Sequence, residues 1–173
     1  MFQVEDIVLY GNEGVCKIID ICSRMFRDKE MEYYVLKPIY TQNATVYVPK
    51  GNEDLVNQMK KILSKEEILA LIEQVSQSDL EWIDNDNLRK EKYRNIIKSG
   101  DRLEMMKLVK ILYQHQQKLK KIGKKFHAND DKILKEAEKI LYDEFAYVLN
   151  IQQEEVIPFI AKQIDVKERD RTK

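Results

Sequence analysis

Near residue 51 the spacing of apolar residues changes, and this change constrains the fold more than any other feature of the chain. Before it, β-prone runs are short and punctuated by turn residues. Asp6-Ile-Val-Leu-Tyr10 ends at Gly11-Asn12-Glu13-Gly14, and Val15-Cys-Lys-Ile-Ile-Asp-Ile-Cys22 follows with Ile19 and Ile21 in period two. A polar, charged loop is expected from Arg24 to Lys29. Met31-Glu-Tyr-Tyr-Val-Leu-Lys37 then precedes the breaker Pro38, a turn near Gln42-Asn43, and Thr45-Val-Tyr-Val-Pro49. Short β-branched and aromatic runs at this spacing predict a small antiparallel barrel.

After residue 51 the period is helical. Ser64-Lys-Glu-Glu67 has capping-box spacing ahead of Ile68, Leu69, Leu71, Ile72 and Val75. Residues 76–87 are polar around Trp82 and read as a linker. Leu88–Lys98 is helical and stops at Ser99-Gly100; Asp101-Arg-Leu-Glu104 opens the next helix, which runs to about Ile122-Gly123. Asn129-Asp130 is expected to cap a helix carrying Ile133, Leu134, Ala137, Ile140, Leu141, Phe145 and Val148. A last helix near Gln152–Ile164 contains Pro158, which either begins it late or kinks it. The expected fold class is α+β: a small antiparallel β-barrel over residues 1–50, an all-α domain over 51–165, and a charged, frayed tail over 166–173.

The residues needed for catalysis are not clustered in this sequence. With only five glycines it has no phosphate-cradling G-x-x-x-x-G-K-[ST] loop, and it has neither an H-E-x-x-H zinc pair nor a nucleophile elbow. Neighbouring acids such as Glu66-Glu67 and Glu154-Glu155 do not face each other on a helix, and the helix dipole explains acids at helix starts. No enzymatic activity is expected, and no cofactor. Cys16 and Cys22 read as reduced core thiols; with His115 and His127 distant in sequence they form no metal-ligand pattern. No apolar run approaches the roughly 20 residues that span a bilayer. Residues 1–6 lack the basic-then-apolar order of a secretory signal, so the expected location is the cytoplasm.

Lys+Arg and Asp+Glu number 30 each, giving a net charge of zero, but they are unevenly placed. Residues 1–50 carry −1, residues 51–81 carry −4, residues 82–128 carry +8 and residues 129–173 carry −3. A basic block in a neutral chain suits either an anionic partner or a solvated helix face. It includes Arg89, Lys90, Lys92, Arg94, Lys98, Arg102, Lys107 and Lys110. Trp82, the single tryptophan, stands at its N-terminal edge in the polar stretch Asp79-Leu-Glu-Trp-Ile-Asp-Asn-Asp86. Two readings are open for it: an anchor packed with Leu80 and Ile83, or an apolar wedge against unstacked bases, with nearby cations on the phosphates.

The ordered pieces resemble the CarD/CdnL family of bacterial transcription regulators, over roughly residues 2–149. Asp6-Ile-Val-Leu-Tyr10, Gly14-Val15, Glu32-Tyr-Tyr-Val-Leu36 and Val46-Tyr-Val-Pro49 sit where that family has D-x-V-V-Y, H-G-V-G, E-Y-x-V-L and V-x-V-P. Ser99-Gly-Asp101 matches its S-G-D break, and Leu108–Tyr113 and Leu134–Leu141 match the helices after it. Departures are Gly11 for the family's proline, Glu13 for its histidine, Cys16 for its second glycine and Tyr47 for a residue that is often basic. The interval from Trp82 to Ser99 is about a helical turn longer, with Asp84 and Asp86 in it.

The resemblance implies a Tudor-like barrel that docks on the β subunit of RNA polymerase, with Arg24, Arg27 and Tyr47 as candidate contacts. It implies a helical domain that meets promoter DNA near the upstream edge of the −10 element without reading sequence, and so stabilises the open complex. The candidate DNA contacts are Trp82, Arg89, Lys90, Lys92, Arg94 and Lys98. A monomer with no membrane association is expected. The alternative is a protein-only adaptor with a binding barrel and a structural helical domain.

Overall fold

The computed structural model describes residues 1–171, of which 165–171 are described as backbone alone. The chain divides into two compact units, Met1–Ile62 and Leu63–Lys173.

The first unit is an open sheet. Strands β1 (Ile7–Tyr10), β2 (Gly14–Phe26), β3 (Lys29–Pro38), β4 (Val46–Pro49) and β5 (Met59–Lys61) pair antiparallel in the order β4-β3-β2-β1-β5. The sheet does not close, which corrects the expected barrel. The two edge strands are short, and the chain between them forms helix α1 (Glu53–Asn57). Leu55 and Val56 of α1 pack against the core cluster of Val8, Cys16, Ile18, Tyr34, Leu36, Val48 and Met59. A helix thus helps cover the apolar face, without any pairing of the edge strands.

β5 also moves the unit's end to Ile62, beyond the change of period near residue 51. Two departures lie within β2. A bulge between Ile18 and Asp20 shifts the register, so Cys16 and Ile18 face the core before it and Ile21 packs there after it, while Ile19 is exposed. The segment read as a loop from Arg24 to Lys29 is instead a hairpin, in which Phe26 pairs with Lys29 around a two-residue turn. Arg27 and Asp28 both have positive φ, 48° and 62°, the turn class whose twist matches that of the strands. Gly11 has a φ of 44°, which a proline at that position could not adopt.

The second unit is helical: α2 (Lys65–Ser76), α3 (Asp86–Ser99), α4 (Arg102–Lys121), α5 (Ala128–Leu149) and α6 (Val156–Arg171). Ser64 and Glu67 form the expected reciprocal capping box. Gly100 ends α3 in the left-handed region at a φ of 69°, and Asp101 at once caps α4 by accepting from the Glu104 N–H. The core comes from the stripes Ile68, Leu71, Ile72 and Val75 of α2; Met105, Leu108, Ile111 and Leu112 of α4; and Ile133, Ala137, Ile140, Leu141 and Phe145 of α5.

α5 starts two to three residues earlier than the expected cap at Asn129-Asp130, with His127 at the cap position and no side-chain cap bond. Asp130 is therefore inside the helix and free to turn to another partner. Pro158 lies in the first turn of α6, where its missing N–H costs nothing. That helix continues through residues 166–171, where a frayed tail was expected; residues 172–173 lie outside the described residues.

Candidate functional site

The basic block separates into cations that are already committed and cations that are not. Arg89 is 4% exposed. Its Nε and Nη2 donate to the two Asp130 carboxylate oxygens at 3.0 and 2.9 Å, Nη2 also donates to Asp86 at 2.7 Å, and Nη1 donates to the Ile83 carbonyl at 2.9 Å. Arg102 makes a bidentate pair with Glu144, which is fully buried and also accepts from the Leu63 N–H at 2.9 Å. Lys107 pairs with Glu104. Lys110 donates to the Val75 and Ser78 carbonyls, each at 3.1 Å, closing the C-terminus of α2. Arg89, Arg102 and Lys110 tie elements of the unit to one another, while Lys107 is paired within α4. Arg89 in particular has no donor facing solvent, so it leaves the set of candidate phosphate contacts.

Lys90, Lys92, Arg94 and Lys98 are exposed, and among the described residues none of them takes part in an ion pair. Lys90, Arg94 and Lys98 follow at intervals of four and form one stripe along α3. Lys92 falls on the other flank, beside an open groove of about 660 Å³ lined also by Ile83, Leu88, Asn95, Ile96 and Asp101.

Trp82 lies in the irregular stretch between α2 and α3 and is half-buried. Its ring stacks on His115 of α4, with centroids 3.7 Å apart and planes inclined by 16°. It meets Tyr93 of α3 edge-on at 6.5 Å, and the Arg89 guanidinium carbon lies 4.6 Å from its ring centroid. Burial holds the His115 imidazole below its ordinary pKa; Asp130 opposes this, and Arg89 and Lys118 reinforce it. The surroundings of the ring under Trp82 therefore favour its neutral form. Tyr93 is 1% exposed and its hydroxyl has no hydrogen-bond partner among the described residues; burial pushes its pKa up to about 12.

Sequence reasoning missed His115, Tyr93 and Asp130. The signal was present for two of the three: Arg89 and Tyr93 share a helical face with Ile96 and Ile97, and Asp130 lies one turn before Ile133 and Leu134. A charge on an apolar stripe at both sites calls for a mutual partner. His115 had no such signal, because its partner is on an irregular segment.

In the first unit, Arg24 and Tyr47 come together across the sheet. Arg24 Nη2 donates to the Tyr47 hydroxyl at 2.7 Å, and the guanidinium carbon lies 4.0 Å from the ring centroid. Tyr33 meets Tyr47 edge-on at 6.4 Å. Arg24 sits on β2, not in a loop. Arg27 occupies the hairpin turn, 5.5 Å from the Phe26 ring centroid, apart from the Arg24–Tyr47 pair. Phe26 and Met25 are more than half exposed. β4, which carries Tyr47, is an edge strand.

Among the described residues no cluster of His, Cys, Asp or Glu could hold a metal ion, and no helix is long and apolar enough to cross a membrane. Cys16 is buried, with its thiol donating to the Gly14 carbonyl, and Cys22 is half-buried. No curated protein matches the sequence. The CarD-like/TRCF RID domain family matches residues 2–63, and the CarD C-terminal domain family matches residues 70–161. The two matches follow the two compact units in order and cover nearly all of the described chain: this transcription-related protein belongs to the CarD/CdnL family.

Proposed function

We propose that the protein binds the β subunit of RNA polymerase through its sheet unit and stabilises the promoter open complex through its helical unit. The RID class to which residues 2–63 belong is a polymerase-interacting domain class. Arg24 and Tyr47 supply the side chains of that contact, and the free edge of β4 offers backbone groups for pairing with a partner strand; Arg27, in the turn, is a secondary contact. In the helical unit, Lys90, Arg94 and Lys98 hold the DNA backbone near the upstream edge of the −10 element, with Lys92 on the flank. Trp82 wedges against the bases at the duplex edge. The protein acts as a cytoplasmic monomer and catalyses no reaction.

The observation that carries the DNA contact is the uncommitted stripe of Lys90, Arg94 and Lys98 on the helix whose buried face meets Trp82. Its test is the salt dependence of promoter binding in the presence of polymerase. Replacing the three stripe residues by Ala lowers the slope of log K against log salt by about one for each phosphate that is no longer neutralised. Lys107→Ala, which removes a cation already paired on the helix surface, leaves the slope unchanged. Equal slopes for all variants would return the stripe to a solvated helix face.

One observation favours the protein-only adaptor: Trp82 already contacts His115, Tyr93 and Arg89 within its own unit. On that reading Trp82→Ala costs stability and leaves open-complex lifetime at the wild-type value.

A further inference from the structure

The stretch holding Trp82 has no regular secondary structure from residue 78 to residue 84, so no helix or strand ladder sets the direction of its side chain. Side chains from three helices do so instead. Arg89 of α3 has little freedom of its own, because Asp130 of α5 grips it in a bidentate pair. From that fixed point its Nη1 donates to the Ile83 carbonyl at 2.9 Å and lies 3.4 Å from the Asp84 carbonyl, which pins the backbone just after Trp82. The ring itself rests on His115 of α4, nearly parallel at 3.7 Å, and the Arg89 guanidinium lies over it at 4.6 Å. A flat stack at that distance restrains the tilt of the indole, which remains half-buried.

We propose that His115 is a positioning residue: it is the platform that orients the Trp82 indole for its contact with promoter DNA, with the Arg89–Asp130 pair as the fixed point from which the segment hangs. This rests on the reading of Trp82 as a DNA wedge. A bound wedge inserts in one orientation, and each orientation fixed beforehand is a freedom that binding no longer has to restrict. His115 contributes to the DNA contact without touching DNA, and a neutral, thin, planar ring is suited to the task. A phenyl ring can replace it and a methyl group cannot.

Trp82 is the only tryptophan, so the emission of the intact protein reports on this stack alone. The experiment compares wild type, Trp82→Ala, His115→Ala, His115→Phe and the Trp82→Ala/His115→Ala double variant. It measures tryptophan emission with acrylamide quenching, the thermal midpoint, and the lifetime of polymerase open complexes. Stacking on one base is worth about 1–3 kcal/mol, so Trp82→Ala shortens the lifetime about tenfold. His115→Ala shifts the emission to the red, exposes it to quencher and shortens the lifetime several-fold. The double variant is no worse than Trp82→Ala, because the two residues act as one unit. His115→Phe restores both the emission and the lifetime, which a purely structural loss of the His115 nitrogens would not allow.

If Trp82→Ala shortens the lifetime but His115→Ala does not, with emission shifted, the platform is overturned and the wedge stands. If His115→Ala shortens the lifetime equally in the Trp82→Ala background, His115 acts by another route and the proposal fails. If Trp82→Ala has no effect on the lifetime, the wedge reading fails and the platform fails with it.

Discussion

Each unit of this protein sets an arginine against an aromatic ring, at almost the same distance: Arg24 on Tyr47 at 4.0 Å and Arg89 on Trp82 at 4.6 Å. Their surroundings are opposite. Arg24 is exposed and has no carboxylate partner among the described residues, and Tyr47 is 39% exposed. Arg89 is buried and held by Asp130, Asp86 and a backbone carbonyl. The first pair can open at little cost to meet a partner, because a solvent-exposed cation–π contact is weak. The second is a joint: its charge cannot move without leaving a buried ion uncompensated. The same two residue types thus make a contact surface in one unit and a fixed point in the other, and burial with paired carboxylates decides which.

The largest test of that contrast is removal of a carboxylate from the joint. Asp130→Ala takes the buried carboxylate from Arg89 and leaves it the exposed Asp86 and the Ile83 carbonyl; it costs about 3 kcal/mol, read by urea denaturation followed through Trp82 emission. The matching change in the other pair, Arg24→Ala, leaves stability at the wild-type level. A comparable loss from both would erase the distinction. Next in size is binding. Arg24→Ala and Tyr47→Ala each weaken affinity for the isolated polymerase β lobe by about tenfold, measured by titration calorimetry. Asp130→Ala, while folded, leaves that affinity alone.

The smallest effect lies beside the joint, at Tyr93. Its buried hydroxyl lacks a partner among the described residues, so Tyr93→Phe stabilises the protein by about 1 kcal/mol or more. The pKa of Tyr93 is raised to about 12, whereas an unfolded chain releases that proton near its ordinary value of about 10. Stability from this group is therefore full below about pH 10 and falls as pH rises toward 12, since the unfolded state is the first to ionise. The fall is shallower in Tyr93→Phe, which can be followed by circular dichroism against pH.

What could be read in the sequence depended on the range of the interaction. Caps such as Ser64–Glu67 and the Ser99-Gly100-Asp101 break act within a few residues, and both appear where their spacing predicts. The α+β division followed from the change of period. The hairpin tip was misread because Ser23, Arg24, Lys29 and Glu30 face solvent and carry the polarity of a loop although they form strands. β5 is three residues long, Met59-Lys60-Lys61, too short for a periodic pattern. Closure of the sheet depended on where α1 packs, which no local pattern encodes. Arg89 was read as a surface cation because its partner Asp130 is 41 residues away. Lys90, Arg94 and Lys98, which take part in no ion pair among the described residues, stand where the helical period puts them.

The β2–β3 hairpin also imposes an order in time. Beyond the rung Ser23–Glu32, where the Lys50 N–H still bonds the Glu32 carbonyl, the pairs Arg24–Met31, Met25–Glu30 and Phe26–Lys29 have no third strand beside them among the described residues, whereas Cys16 and Lys17 of β2 are flanked by β1 as well as β3. Amide protons at the tip are released by local opening, while those around Cys16 wait for larger events, so exchange runs on two clocks along one strand. A partner seated on Arg24 and Tyr47 would slow the fast clock and leave the slow one untouched.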